Sequence, residues 1–336
     1  MIQNDSESVN LFLSDVSPND KPWDIHKANC VRISKALTAD KEFAVRGYNL
    51  NECADWLIYT ATDNQDKPLV LSNANFCRDR ACPICQWRRA LRWVATMHQQ
   101  LPQVHELYPT HRWLFLTLTV KNCEIENLRT TIQDMNKAYS RMMRGLRKRM
   151  PEIGYIRTTE VTRAKDDTAH PHLHCMLLVP AEYFGKKYIK QTEWAELWQK
   201  ALKCDYMPIV DIRVPKNFKE LFKPENLTTK SKVTKFKSII AELLKYSIKP
   251  SDLLKKTEEE DYEWLYEYLR QVKGLRFLCV GGVLKKLIKA EWAPDDEDNN
   301  QLIHINSDDD EEENSSEQEQ LAFRFVYDRM LWRYKL

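Results

Sequence analysis

The chain has no apolar run near the roughly 20 residues that a membrane helix needs. Its first ten residues, polar and acidic, lack the basic-then-apolar layout of a secretory signal. These two absences point to the cytoplasm and away from a membrane partner. Lys and Arg are missing altogether from 291–319, where 13 acidic residues stand. That stretch hides a basic protein: the net charge is +2, but the rest of the chain carries +15. A basic body calls for a polyanionic partner, and nucleic acid is the usual one. Internal repeats are absent too, which excludes a solenoid or propeller. No Ser-His-Asp or Cys-His arrangement stands out as a ready nucleophile.

With 336 residues, 43% of them hydrophobic, the chain can build two compact domains, or one large domain with additions. Residues 1–29 are polar with few periodic apolar positions and predict a loose arm. The β-formers of 112–120, 155–162, 173–179 and 209–214 predict strands. Apolar residues at helical spacing predict helices over 91–103, 126–150, 192–201, 235–248 and 262–272, with Pro151 and Pro250 as stops. This order implies an α+β fold, an antiparallel sheet with helices on one face. The expected division is an arm (1–29), a cysteine-bearing region with a basic helix (30–110), a catalytic domain (111–290), an acidic disordered segment (291–320) and an aromatic C-terminal segment (321–336). The last either packs back on the body or docks elsewhere.

The most informative segment is His170-Pro171-His172-Leu173-His174. Alternate side chains of a strand share a face, so His172 and His174 can aim two imidazoles at one metal ion while Leu173 enters the core. A hard cation also needs an oxygen ligand. Glu160 on the preceding strand is the candidate, and His170 is the competing third ligand. One carboxylate with two imidazoles and open positions suits Mn²⁺ or Mg²⁺. Further on, Glu242, Tyr246 and Lys249 fall on one face of the predicted helix. A tyrosine can attack a phosphodiester to give a covalent phosphotyrosine. Glu242 can act as general base on a resolving water, and Lys249 can neutralise phosphate charge.

Nine cysteines in a reducing compartment read as thiols or metal ligands. Cys77-x4-Cys82-x2-Cys85 is a tight thiolate set that favours structural Zn²⁺. Cys53 is the first choice for the fourth ligand, with Cys30 and His98 behind it. Arg78, Arg80, Trp87, Arg88 and Arg89 flank this knuckle and are candidate DNA contacts, since Arg grips phosphate and Trp stacks on bases. A second basic run, Arg141, Arg144, Arg147, Lys148 and Arg149, lies on the helix over 126–150.

Four blocks together resemble the plasmid rolling-circle Rep proteins of the HUH endonuclease superfamily, in the branch with a single catalytic tyrosine. Residues 76–89 resemble that family's cysteine-rich block, and Phe115-Leu116-Thr117-Leu118-Thr119 its first strand motif. His170–His174 resembles its metal motif, and Glu242-x3-Tyr246-x2-Lys249 its nucleophile motif. The resemblance spans about residues 50–285. It implies an antiparallel RRM- or ferredoxin-like sheet with the histidine strand central, preceded by a zinc knuckle. It implies that Tyr246 nicks one strand of the plasmid origin, single-stranded at the nick, keeps the 5′-phosphate and frees a 3′-hydroxyl. Glu242 would then help water end the cycle, and Glu160 would be the third metal ligand. Host helicase, DNA polymerase and single-strand-binding protein are the implied partners. The rival readings are a transposase of the same superfamily and a non-enzymatic, zinc-dependent DNA-binding regulator. The acidic segment and the N-terminal arm are not part of the shared pattern.

Overall fold

The computed structural model describes residues 11–62, 69–214, 248–255, 258–288 and 321–336. In chain order the helices are α1 (Leu13–Val16), α2 (Pro22–Thr38), α3 (Ala44–Glu52), α4 (Pro83–Leu107), α5 (Leu128–Arg149), α6 (Gln191–Leu202), α7 (Pro250–Leu253) and α8 (Glu258–Val272). The strands are β1 (Trp56–Ala61), β2 (Leu69–Ala74), β3 (Arg112–Thr119), β4 (Gly154–Arg163), β5 (Ala169–Val179), β6 (Val210–Arg213), β7 (Leu278–Gly282), β8 (Ala322–Asp328) and β9 (Arg333–Lys335). The fold is α+β with two antiparallel sheets. Residues 235–247 of the helix predicted over 235–248, and the acidic stretch 291–320, lie outside the described residues. Among the described residues no helix is long and apolar enough to cross a membrane.

Two compact units divide the chain, one of residues Met1–Arg92 with Glu297–Leu336, the other of Trp93–Asp296. The first carries the sheet β2-β1-β8-β9. Its inward residues Leu57, Tyr59, Phe325 and Tyr334 are almost fully buried. The C-terminal aromatic segment therefore packs back, with Phe325 opposite Leu57 in the β1–β8 ladder. Residues expected as a loose arm are in part helical. Pro22 occupies the first turn of α2, where its missing N–H costs nothing, and Trp23 is buried beside Phe76, Trp87 and Tyr334.

The second unit carries the five-stranded sheet β6-β3-β5-β4-β7, every neighbouring pair antiparallel. Strand β5, which holds the three histidines, is central. Its odd-numbered residues Leu173, Cys175, Leu177 and Val179 pack with Leu114, Leu116 and Leu118 of β3 against α5 and α6. Met176 and Leu178 face the other way, onto Trp93, Met97 and Leu101 of α4. Helices thus cover both faces, where the order of elements had implied one. The difference arises because α4, which runs from Pro83 to Leu107 and so beyond the expected 91–103, lays Trp93, Met97 and Leu101 on the Met176 face. It packs at the Met176 end of that face, away from the histidines.

Candidate functional site

The β4–β5 hairpin builds the centre of the site. Its turn is closed by the Ala164 amide donating to the Thr168 carbonyl at 2.9 Å. Asp167 takes the left-handed conformation there, which Asp tolerates. This turn fixes a register that pairs Arg163 with Ala169, Glu160 with His172 and Thr158 with His174. Directly opposed residues of an antiparallel pair share a face, and alternation adds His174 two residues on. The carboxylate and both imidazoles therefore meet on the open face.

Glu160 Oε2 lies 3.1 Å from His172 Nε2 and 2.8 Å from His174 Nε2. The three donor atoms all fall within 4.8 Å of one another. Each imidazole is oriented from behind: His172 Nδ1 sits 3.3 Å from the His170 carbonyl, and His174 Nδ1 sits 3.4 Å from Thr117 Oγ1. Donation from Nδ1 to the His170 carbonyl places the lone pair of His172 on Nε2. The same holds at His174 if the Thr117 hydroxyl accepts. Two imidazole lone pairs then converge on a carboxylate oxygen, an arrangement that needs a cation or added protons. The set fits a hard divalent metal ion. Burial pushes the Glu160 carboxyl up, but the hydrogen bonds and charges of His172 and His174 outweigh it and hold the acid well below the usual carboxylate range.

The structure does not bring His170 into this group. Its Nδ1 lies 2.8 Å from Asn122 Oδ1 instead, and burial and the His172 charge push its imidazole down. Lys249 does arrive, with Nζ 4.0 Å from Glu160 Oε1. It caps α7, which is anchored by the buried Ile248 and Leu253. Asp252 on α7 was not foreseen. Burial raises its carboxyl, Lys255 and Lys249 offset part of that, and the Glu160 charge adds to it. Tyr246 and Glu242 lie outside the described residues.

In the first unit Cys53, Cys77, Cys82 and Cys85 converge. Their sulfurs are 3.5 Å (Cys82–Cys53), 3.6 Å (Cys53–Cys85) and 3.8 Å (Cys77–Cys85) apart. A tetrahedral ion with bonds of about 2.3 Å would set sulfurs about 3.8 Å apart, so the cluster has the right size. Backbone amides of Cys77, Arg78 and Cys85 point at the sulfurs of Cys53, Cys85 and Cys82, at 3.2–3.4 Å. Burial pushes the Cys53 and Cys82 thiols up. At Cys85 burial is outweighed by hydrogen bonds from the other three and by the Arg89 guanidinium, so that thiol goes down. Cys30 is not a member of the four but lies behind them, its sulfur 3.2 Å from that of Cys82. The side chain of His98 lies outside the described residues.

Several expected DNA contacts are engaged in building this knuckle. Arg88 is buried, its guanidinium over the rings of Trp23 and Trp87, so it packs where a phosphate contact was expected. Trp87 is wedged between Trp23 and His26. Arg89 donates to the Arg78 carbonyl. Arg78 itself takes the left-handed conformation as the loop turns around Cys85, and Arg80 is half-buried. One supporting residue escaped the sequence reading. Lys27, fully buried, donates to the carbonyls of Asn51 (2.6 Å) and Cys53 (2.8 Å) and pairs with Asp55 at 3.3 Å. Its only sequence signal is its place among the apolar positions of α2.

The Glu160 pairing makes a pH prediction for chelator-treated protein. A carboxyl held low in the folded state contributes stability above its ordinary unfolded value, and that contribution is lost as pH falls toward the folded one. Urea unfolding should therefore show the parent more stable than Glu160→Gln near pH 6, with the gap closing toward pH 3. A gap independent of pH would contradict the pairing.

The Rep_1 family, described as replication protein, matches residues 68–333. Three similar relatives carry the name Protein rep. That of Lentilactobacillus hilgardii is 32% identical over 282 residues, 83% of this chain and 85% of the relative. That of Lactiplantibacillus plantarum is 32% identical over 290 residues, 85% and 86% of the two chains. That of Bacillus amyloliquefaciens is 31% identical over 266 residues, 78% of each. No solved structure matches the chain. The family's span covers Cys77, Cys82 and Cys85 of the cysteine cluster, the histidine strand and β8, and the chain belongs to the Rep family of replication proteins.

Proposed function

We propose that this chain is an HUH-type endonuclease that starts rolling-circle replication of a plasmid in the cytoplasm, by nicking and rejoining one strand of the origin through a 5′-phosphotyrosine. The observation that carries the reading is the convergence of Glu160, His172 and His174 on the central strand, with the Lys249 ammonium 4.0 Å from the carboxylate. Tyr246 is tied to Lys249 by three residues of chain, a tether of at most about 11 Å between their Cα atoms. That bound is consistent with a phenol able to reach the same centre.

The division of labour follows from the residue chemistry. The scissile phosphate carries negative charge that must be balanced during attack, and Lys249 is a cation positioned beside the centre. Mn²⁺ or Mg²⁺ bound by Glu160, His172 and His174 would supply further Lewis acidity to that phosphate. The Tyr246 phenolic oxygen attacks phosphorus and loses its proton to solvent, which returns one proton to the departing 3′-oxygen. The bond to the 3′-oxygen breaks, and that oxygen leaves as a protonated 3′-hydroxyl that can prime a polymerase. Glu242 takes a proton from the water that later releases the 5′-phosphate from tyrosine. Host helicase, polymerase and single-strand-binding protein would act on the opened strand. Arg144, Arg147, Lys148 and Arg149, exposed on α5, are suited to hold origin phosphates in place.

Cleavage of a labelled single-stranded origin oligonucleotide with Mn²⁺ tests this directly. The parent should give a covalent, gel-shifted band and Tyr246→Phe none. Glu242→Ala should keep the adduct and release it at least about 100-fold more slowly, the lower end of general-base contributions being about 10²-fold. Undiminished adduct from Tyr246→Phe would overturn the assignment.

The thiolate cluster we assign to Zn²⁺ in a structural role. Metal analysis should find one zinc per parent chain, lost in Cys53→Ser and retained in Cys30→Ser. The reverse pattern would make Cys30 the fourth ligand.

A further inference from the structure

Burial alternates over residues 207–210, which lead into the edge strand next to the histidine face. Val210 is buried in the core, whereas Ile209, one residue earlier, is 75% exposed. The Ile209 carbonyl accepts both the amide (3.2 Å) and the hydroxyl (2.9 Å) of Thr119. Thr119 stands opposite His172, and His172 opposite Glu160. One row across the sheet therefore reads Ile209, Thr119, His172, Glu160. At about 4.8 Å per strand, Ile209 stands about 10 Å from His172 on the same open face.

Ile209 is not alone. Met207 is 56% exposed. The Tyr206 hydroxyl accepts the Lys121 amide at 3.1 Å, and the Lys121 ammonium lies 4.3 Å over the Tyr206 ring. Single exposed apolar side chains are ordinary. Two exposed apolar side chains and a half-buried tyrosine within four residues, tied through the Ile209 carbonyl to Thr119 and through the Tyr206 hydroxyl to Lys121, lie beside a candidate cation-binding group and make a built surface. Its chemistry is an apolar and aromatic platform with one ammonium at its side, the combination that stacks an unpaired base while its phosphate is neutralised.

We propose that Tyr206, Met207 and Ile209, with Lys121, form a shelf that seats the base and sugar of a nucleotide near the scissile phosphate of the single-stranded substrate. The proposal rests on the nicking reading above and adds a substrate subsite to it. Continuity with the histidine centre and the adjoining ammonium favour a nucleotide as occupant over a protein surface. The shelf contributes to substrate affinity and to preference among bases, and it takes no part in bond breaking.

The test uses full-length protein and a set of single-stranded origin oligonucleotides, each with one abasic position. Binding is read by fluorescence anisotropy in a Tyr246→Phe background, and adduct formation in the Tyr246 protein. With the intact shelf, affinity should fall about tenfold at one or two positions beside the nick. Met207→Ser/Ile209→Ser should bind the intact oligonucleotide about tenfold more weakly and show no further loss at those positions. At saturating oligonucleotide its adduct rate should stay within about twofold of the parent's, since the shelf makes no transition-state contact. The helical content and thermal unfolding of the double variant serve as controls for folding, and Lys121→Gln gives a second, milder probe with the same abasic profile expected to flatten. A double variant that matches the parent in affinity and abasic profile would overturn the shelf. So would parent protein that self-associates through this surface and becomes monomeric in the double variant with DNA affinity unchanged. Position-sensitive binding without any adduct from the parent would sink the nicking reading and leave the shelf in place.

Discussion

Everything at the candidate centre depends on the register of one hairpin. Strand side chains alternate, so a slip of a single residue between β4 and β5 would send His172 and His174 into the core and present Leu173 and Cys175 to the open face. The slip is opposed from three directions. Leu173, Cys175 and Leu177 are fully buried against α5 and α6, and exposing them would forfeit roughly 2 kcal/mol each. At the turn, Asp167 holds the left-handed position and pairs with Arg163 at 2.9 Å. Beyond the turn, Arg163 also pairs with the buried Asp261 of α8 and lies over the Trp264 ring. A buried ion pair of this kind adds little net stability, but it penalises any shift that would separate its members.

The thiolate cluster is organised by the same logic with different parts. Four sulfurs from three chain segments can meet only if the backbone between them is pinned. Lys27 pins the carbonyl of Cys53 from inside the first unit. The Arg46–Asp79 pair, with contacts of 2.7 and 2.9 Å, and the Asp79 side chain on the Ala81 amide pin the loop that carries Cys77 and Cys82. The arginines around the knuckle are thereby partly structural. A sequence rich in Arg and Trp beside cysteines looks like a nucleic-acid surface, yet here Arg89 lowers the Cys85 thiol, and Arg88 and Trp87 fill an aromatic core.

How much of this could be read from residues alone differs by element. The histidine strand was legible because its chemistry and its period coincide: two imidazoles two apart, followed by an apolar run. Glu160 followed from the hairpin that the strand order implied, and Cys53 was ranked above Cys30 on sequence and is the one that joins the other three thiols. The first sheet was not legible. Strands β1 and β8 are short, and they pair across more than 250 residues, a distance over which local pattern carries no information. Lys27 was invisible for another reason, since lysine is almost never fully buried and only the carbonyls it meets explain it. The closeness of Ile209 to the histidines is likewise a property of strand order. The edge strand lies two places from β5 in space and more than 30 residues from it in sequence.

The central assignment is that two imidazoles and one carboxylate on the central hairpin grip a single hard cation. Electron spin-echo spectroscopy of Mn²⁺ added to the full-length chain tests that without any nucleic acid present. Modulation from directly coordinated imidazole nitrogen is the predicted result, together with its disappearance in a His172→Asn/His174→Asn double variant whose fold is unchanged. Bound Mn²⁺ surrounded by oxygen ligands alone, or an unchanged nitrogen signal in the double variant, would contradict it.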